Sequence, residues 1–178
     1  MEPEDLLHAV REARLTTLAL ADQVPDERWR ESALPGGSLH DVLAHMLGWD
    51  EWTIAVLEVS RSRALPEALG RTMADVDGFN ARTMKRLQSV EREDLLTAMQ
   101  TATERLMSAA VATGAGWEVR RIEGIVTEDG AEPRSMSVRT VLRIILNHEQ
   151  EHDGEIADSF GISANLDRFR GEATPAED

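Results

Sequence analysis

Cysteine is absent from this 178-residue chain. Its absence excludes disulfides, thiolate-rich zinc sites, iron–sulfur clusters and a cysteine nucleophile. Any metal must therefore be held by His, Asp or Glu, and any thiol chemistry must draw on a thiol from outside the chain. Basic residues are scarce: 19 Lys and Arg stand against 33 Asp and Glu, a formal net charge of −14. Such a surface repels phosphate backbones and anionic headgroups, which argues against nucleic acid and membrane as partners. Its plainest role is solubility. Arg120-Arg121 is a lone basic pair. No apolar run approaches the roughly 18 residues of a membrane span. The opening stretch MEPEDLLHAVREA is acidic and amphipathic, unlike a secretory leader. The expected compartment is the cytoplasm. Internal repeats and a sheet-forming series are missing as well.

Helical periodicity is what the chain does have. With 42% hydrophobic residues, a chain of this length can bury roughly 70% of its unfolded surface without staples. Residues 1–170 are expected to form one domain, with GEATPAED (171–178) an acidic tail. From Pro3 to Gln23, Leu6, Val10, Ala13, Leu18 and Ala21 recur at threes and fours, with Pro3 suited to a first turn. VPDERWRESALPGG reads as a long connection. A second helix should start at Ser38, an N-cap with Asp41 three residues on, and run to Ser60. After the linker RSRALPEALGRTM, with a short turn at Pro66, a third helix is expected over Ala74 to Gln88. A fourth, capped by Ser89, should cover Val90 to Ala112. Gly114 to Ser135 breaks the pattern: a β-type stretch from Val119 to Thr127 and an Asp129-Gly130 turn signal suggest a short hairpin. The last helix should run from Ser137 to Phe160. The fold class is therefore all-α, a helical bundle with one long irregular excursion before its last helix.

Five histidines are candidates for chemistry. His148 and His152 stand four apart on one helix face, the spacing that lets two imidazoles meet one metal. Chance alone would supply about 0.1 such pairs from five histidines. Both continue the apolar stripe Val138, Val141, Leu142 and Ile145, so both point into the bundle, where their nitrogens need partners. A shared metal supplies them, and so would Glu and backbone groups. His45 lies in line with Val42, Trp49, Trp52 and Val56 on the second helix. Three neutral nitrogen ligands with an open fourth position mark a reactive metal. His8 and His40 read as exposed and receive no role. Glu149, Glu151 and Glu155 are candidates to support the ligands from behind.

His148-Glu149-x-x-His152 also spells the HExxH of zinc metallopeptidases. That reading fails on its surroundings. Gln150 and Glu151 stand where zincin helices carry apolar residues, Gly154 falls one place early for the metzincin extension, and Asp158 occupies the position of its third ligand.

Three passages resemble the DinB-like (YfiT-like) superfamily of four-helix bundles. SLHDVLAHMLGWDEW is similar to the family's capped second helix with a buried His and a following Trp. DGFNARTMKRL and SVEREDLLTAM resemble the middle helices of the branch that contains maleylpyruvate isomerase N-terminal domains. SVRTVLRIILNHEQEHDGEIAD is similar to the last helix, which supplies two ligands four apart. Together these passages span most of residues 38 to 158. The resemblance implies a DinB-like four-helix bundle with a divalent metal, zinc or nickel, on His45, His148 and His152. It also implies a homodimer. Gly37 stands where the family often has Trp, so the aromatic wall of the pocket would differ, with Trp29 a candidate to supply it. Family activities include mycothiol-dependent isomerases and thiol S-transferases. The reading for this chain is a metal-dependent enzyme that activates a low-molecular-weight thiol cosubstrate, or water, against a small electrophilic substrate. The alternative is a non-catalytic bundle in which the metal only stabilises the fold. No catalytic residue beyond the ligands is assigned. The excursion over 114–135 either shapes access to the metal or is a solvated connection.

Overall fold

A computed structural model describes residues 2–112, 114–128 and 132–166. In chain order its helices are α1 (Pro3–Gln23), α2 (Leu39–Val59), the short α3 (Glu67–Gly70), α4 (Val76–Leu87), α5 (Arg92–Val111) and α6 (Val138–Phe160). Two small antiparallel ribbons punctuate them: β1 (Ser32–Leu34) with β2 (Gly37–Ser38), and β3 (Arg121–Ile125) with β4 (Arg134–Ser137). The architecture is the expected helical bundle. The Asp129-Gly130 turn and the acidic tail at 171–178 lie outside the described residues.

The packing follows from the apolar stripes. α1 lies along α6, and α2 lies along α5 while also meeting α4 and α6. Surrounded in this way, α2 is buried from Leu39 to Leu57 on nearly every face, as its sparse polar content allows. Its start is fixed by a capping box in which the Ser38 hydroxyl oxygen accepts from the Asp41 amide and the Asp41 carboxylate accepts from the Ser38 amide. Ser137 caps α6 in the same way, its hydroxyl oxygen accepting from Thr140 N–H at 3.1 Å. α4 can lie close to α2 because residue 48 is glycine: a Cβ there would sit 2.5 Å from the Thr83 methyl. The starts of the two helices that carry His45, His148 and His152 are thus set by local caps, and the seat of α4 by its approach to Gly48.

Two expectations are corrected. α5 begins at Arg92 with Glu91 as its N-cap, and Ser89 caps nothing. The Val90 amide donates to the Leu87 carbonyl, and the Val90 carbonyl accepts from Arg30 and faces the His40 ring, so this segment stays in a turn. His40, expected on the surface, is buried, with Nε2 3.1 Å from that carbonyl oxygen. His8 is exposed as expected. The hairpin at β3–β4 pairs Ile122 with Met136 and Arg121 with Ser137. Its buried Ile122 and Ile125 fasten it to the bundle, and the Val126 amide donates to the Gly70 carbonyl at 2.8 Å. The excursion therefore backs the α3 linker.

Candidate metal centre

α2 and α6 bring His45, His148 and His152 to one point. His148 and His152 stand one turn apart on α6, and the ring of His45 on α2 closes the triangle, with centroids 5.3 Å and 4.7 Å from theirs. The His152 Nε2 lies 2.9 Å from that of His45 and 3.2 Å from that of His148. One nitrogen from each ring lies within 4.8 Å of the other two.

Burial keeps His45 and His148 neutral. It pushes the His45 imidazole down from 6.5 to about 3, with His152 and His148 acting in the same direction. His148 is pushed down to about 4 by burial, then by His152 and Arg14. The His152 Nδ1 faces the Glu155 carboxylate at 2.7 Å. A carboxylate only accepts, so Nδ1 carries the proton and Nε2 presents a bare lone pair. That lone pair can accept one N–H, yet two imidazole nitrogens converge on it. A cation shared by all three satisfies them together. Tetrahedral nitrogens at about 2.0–2.1 Å from an ion stand about 3.3 Å apart, close to the separations seen here. The donor set fits a divalent metal with a coordination position to spare, and Glu155 supplies the orienting carboxylate such sites use.

Glu149 does something else. Its Oε1 lies 2.9 Å from Arg14 Nε, while the Arg14 Nη2 donates to Asp50 at 2.5 Å. The Thr17 hydroxyl is 2.7 Å from Asp153 and 3.4 Å from Glu149. All five groups are buried. Burial raises the three carboxyls, Asp50 to about 6, Glu149 to about 8 and Asp153 to about 6, while the shared Arg14 guanidinium pulls each of them back down. Engaged with α1, Glu149 is turned away from the three histidines, which removes the general base of the peptidase reading. Glu151 is exposed. Arg14, Asp50 and Thr17 carry no role in the sequence pattern, although an Arg one place after Ala13 on an apolar helix face is a signal.

His148 also opens onto an apolar cavity of about 180 Å³. Trp49 and Trp52 form its aromatic wall, edge-to-face at 5.5 Å. Trp29, the expected wall, instead packs in the core beneath the Arg92 guanidinium, 4.7 Å from its ring centroid. No described residue of the excursion lines the cavity. Met73 and Val76 of the α3–α4 linker region do.

The helical bundle and its histidine cluster define a class: a protein able to hold a divalent metal between two helices. The chain belongs to the DinB family, whose sequence profile matches residues 2–158. A solved structure of similar fold is that of a histidine-to-alanine mutant of the mycothiol-dependent maleylpyruvate isomerase, with a TM-score of 0.64 and 14% identity. The match covers 88% of this chain and 61% of that one, so this chain spans under two thirds of the isomerase. No curated protein matches in sequence.

Proposed function

We propose that this protein is a metal-dependent enzyme in which His45, His148 and His152 hold zinc or nickel and activate a low-molecular-weight thiol, or water, against a small electrophile. The observation that carries this reading is the meeting of three imidazole nitrogens beside an apolar cavity. A divalent ion bound there supplies Lewis acidity, lowering the pKa of a thiol or water enough to make a nucleophile at neutral pH.

The chain's own groups prepare that chemistry. Burial holds His45 and His148 unprotonated, so their lone pairs are available well below neutral pH. Glu155 fixes the tautomer and ring plane of His152. Trp49 and Trp52 give the cavity beside His148 an aromatic wall. With no cysteine in the chain, the thiol must arrive as a cosubstrate. The mycothiol dependence of the structurally similar isomerase supports a thiol over water.

Elemental analysis tests the reading, on protein purified without a metal-affinity column. About one zinc or nickel per chain is expected, falling by roughly tenfold or more in His45→Ala, His148→Ala and His152→Ala. Metal content unaffected by all three substitutions would overturn it.

A further inference from the structure

The i, i+4 spacing sets His148 and His152 against each other, but nothing within α6 sets either of them against His45. That distance is fixed between helices. α6 packs chiefly along α1 and meets α2 over a shorter stretch. The residue that follows each α6 histidine of the triad is held from α1. Glu149, next to His148, has Oε1 2.9 Å from Arg14 Nε, and Asp153, next to His152, accepts from the Thr17 hydroxyl at 2.7 Å. Successive residues of a helix point about 100° apart, so the pair gripped by α1 sets the direction of the pair turned to α2. Arg14 reaches α2 as well, its Nη2 donating to Asp50, five residues beyond His45. One guanidinium therefore joins the two helices that carry the triad.

Tolerance decides whether such a clamp matters. Turning α6 by about 10° about its axis displaces a side-chain atom about 5–6 Å from that axis by about 1 Å. Metal–ligand distances hold to within about 0.2 Å. Arg14 is 3% exposed and Thr17 fully buried, so water does not replace a partner that either side chain loses. The charge of Arg14 works in the opposite sense. It opposes a proton on His148, and it would oppose a metal cation there likewise. Any benefit of Arg14 to metal binding must come through geometry.

We infer that Arg14 and Thr17 are positioning residues for the triad: by gripping Asp50, Glu149 and Asp153 they hold α2 and α6 where His45, His148 and His152 meet. The consequence for metal binding rests on the proposed reading of the triad, whereas the meeting of the three rings does not.

Zinc competition with a chromogenic chelator, at a temperature where every variant is folded, tests this. Arg14→Lys keeps the charge but loses the planar fork that spans Asp50 and Glu149. Thr17→Val keeps the shape and removes the hydroxyl. Each should weaken zinc binding by about tenfold or more. Thr17→Ser retains the hydroxyl and should bind zinc as the wild type does. Leu106→Ala controls for lost stability. It opens a cavity near the end of α2 remote from His45, where the neighbouring Arg105 faces Glu58, and should leave zinc affinity unchanged. Arg14→Lys and Thr17→Val binding zinc as tightly as wild type, or no more weakly than Leu106→Ala, would overturn the inference. A role through charge alone predicts that result for both. Wild-type protein that takes up no zinc would instead sink the metal reading, and the positions of the rings are then read by NMR of metal-free protein. The ring signals of His45 and His152 should move in Arg14→Lys and Thr17→Val and stay in place in Thr17→Ser and Leu106→Ala. Signals unmoved in all four would overturn the positioning role as well.

Discussion

Two polar clusters share the inward side of α6, one residue out of step. His148 and His152 turn to His45; Glu149 and Asp153 turn to Arg14 and Thr17 on α1, with Asp50 of α2 on the far side of the guanidinium. Burial acts on both in the same sense, disfavouring charge: it pushes His45 and His148 down and the three carboxyls up. What separates them is the counter-charge. The carboxyls have a cation built into the fold, and it ties α1, α2 and α6 together. The imidazoles face one another with lone pairs turned inward. The difference teaches where to look for function in a buried polar set: at the one with no counter-charge of its own.

The sharpest way to break the comparison is to take the internal cation away. Arg14→Met should strand Asp50, Glu149 and Asp153 without their guanidinium, at a cost of about 3–5 kcal/mol. For a chain of this size that is a fall of roughly 10 °C in thermal midpoint. His45→Leu in metal-free protein removes an imidazole that has no counter-charge in the fold, and should cost no more than about 1 kcal/mol. Thermal unfolding of the two EDTA-treated variants decides the matter. Equal losses would mean the triad is as much a structural closure as the clamp.

Much of this contrast was legible from residue order, and the rest was not for identifiable reasons. The bounds of α1, α2 and α6 follow from Pro3, Ser38-x-x-Asp41 and Ser137, because capping is decided within four residues. The triad followed from the i, i+4 spacing and the shared apolar stripe. His40 was misplaced because its burial depends on Val90, fifty residues away, and periodicity carries no such information. The same contact displaced the start of α5. Arg14 and Asp50 were passed over because an ion pair across two helices leaves no local pattern. HExxH was the most misleading signal: its Glu149 belongs to the clamp, and only the packing of α1 reveals that.

A subtler contrast concerns how each cluster is oriented. The clamp holds itself through its own charges, whereas the triad relies on Glu155 at its rim. Glu155→Gln keeps the size and one acceptor but lets the His152 tautomer change. Metal affinity should weaken about 10–100-fold, as for other carboxylates behind metal histidines. The half-exposed position predicts little change in metal-free stability. Competition with a chromogenic chelator measures the first and thermal unfolding the second. An unchanged affinity would remove Glu155 from the site.

The smallest effect is expected where the two clusters oppose each other. Consider metal-free protein between pH 4.5 and 6.5. The unfolded chain protonates its histidines below about 6.5, while His45 and His148 in the fold resist until about 3 and about 4. On their account the unfolded state binds more protons, and stability falls as the pH falls. The carboxyls run the other way. Unfolded, they ionise above about 4; folded, Asp50 and Asp153 hold their protons to about 6 and Glu149 to about 8. They bind more protons in the fold, so their contribution rises as the pH falls and is lost as it climbs through 6 to 8. The two slopes are of similar size and opposite sign, so the net stability of metal-free protein should change little across this window. Saturating zinc should steepen it, because protons compete with the ion for the histidines and the added stability drains away on acidification. His45→Leu with His148→Leu should tilt it oppositely, leaving the three carboxyls opposed by His40, whose imidazole burial also pushes down, and the protein more stable at pH 5 than at pH 7. Urea unfolding at half-unit steps of pH, with EDTA or with zinc, reads all three slopes. A steep loss of stability on acidification of the metal-free wild type would show that the clamp does not offset the triad.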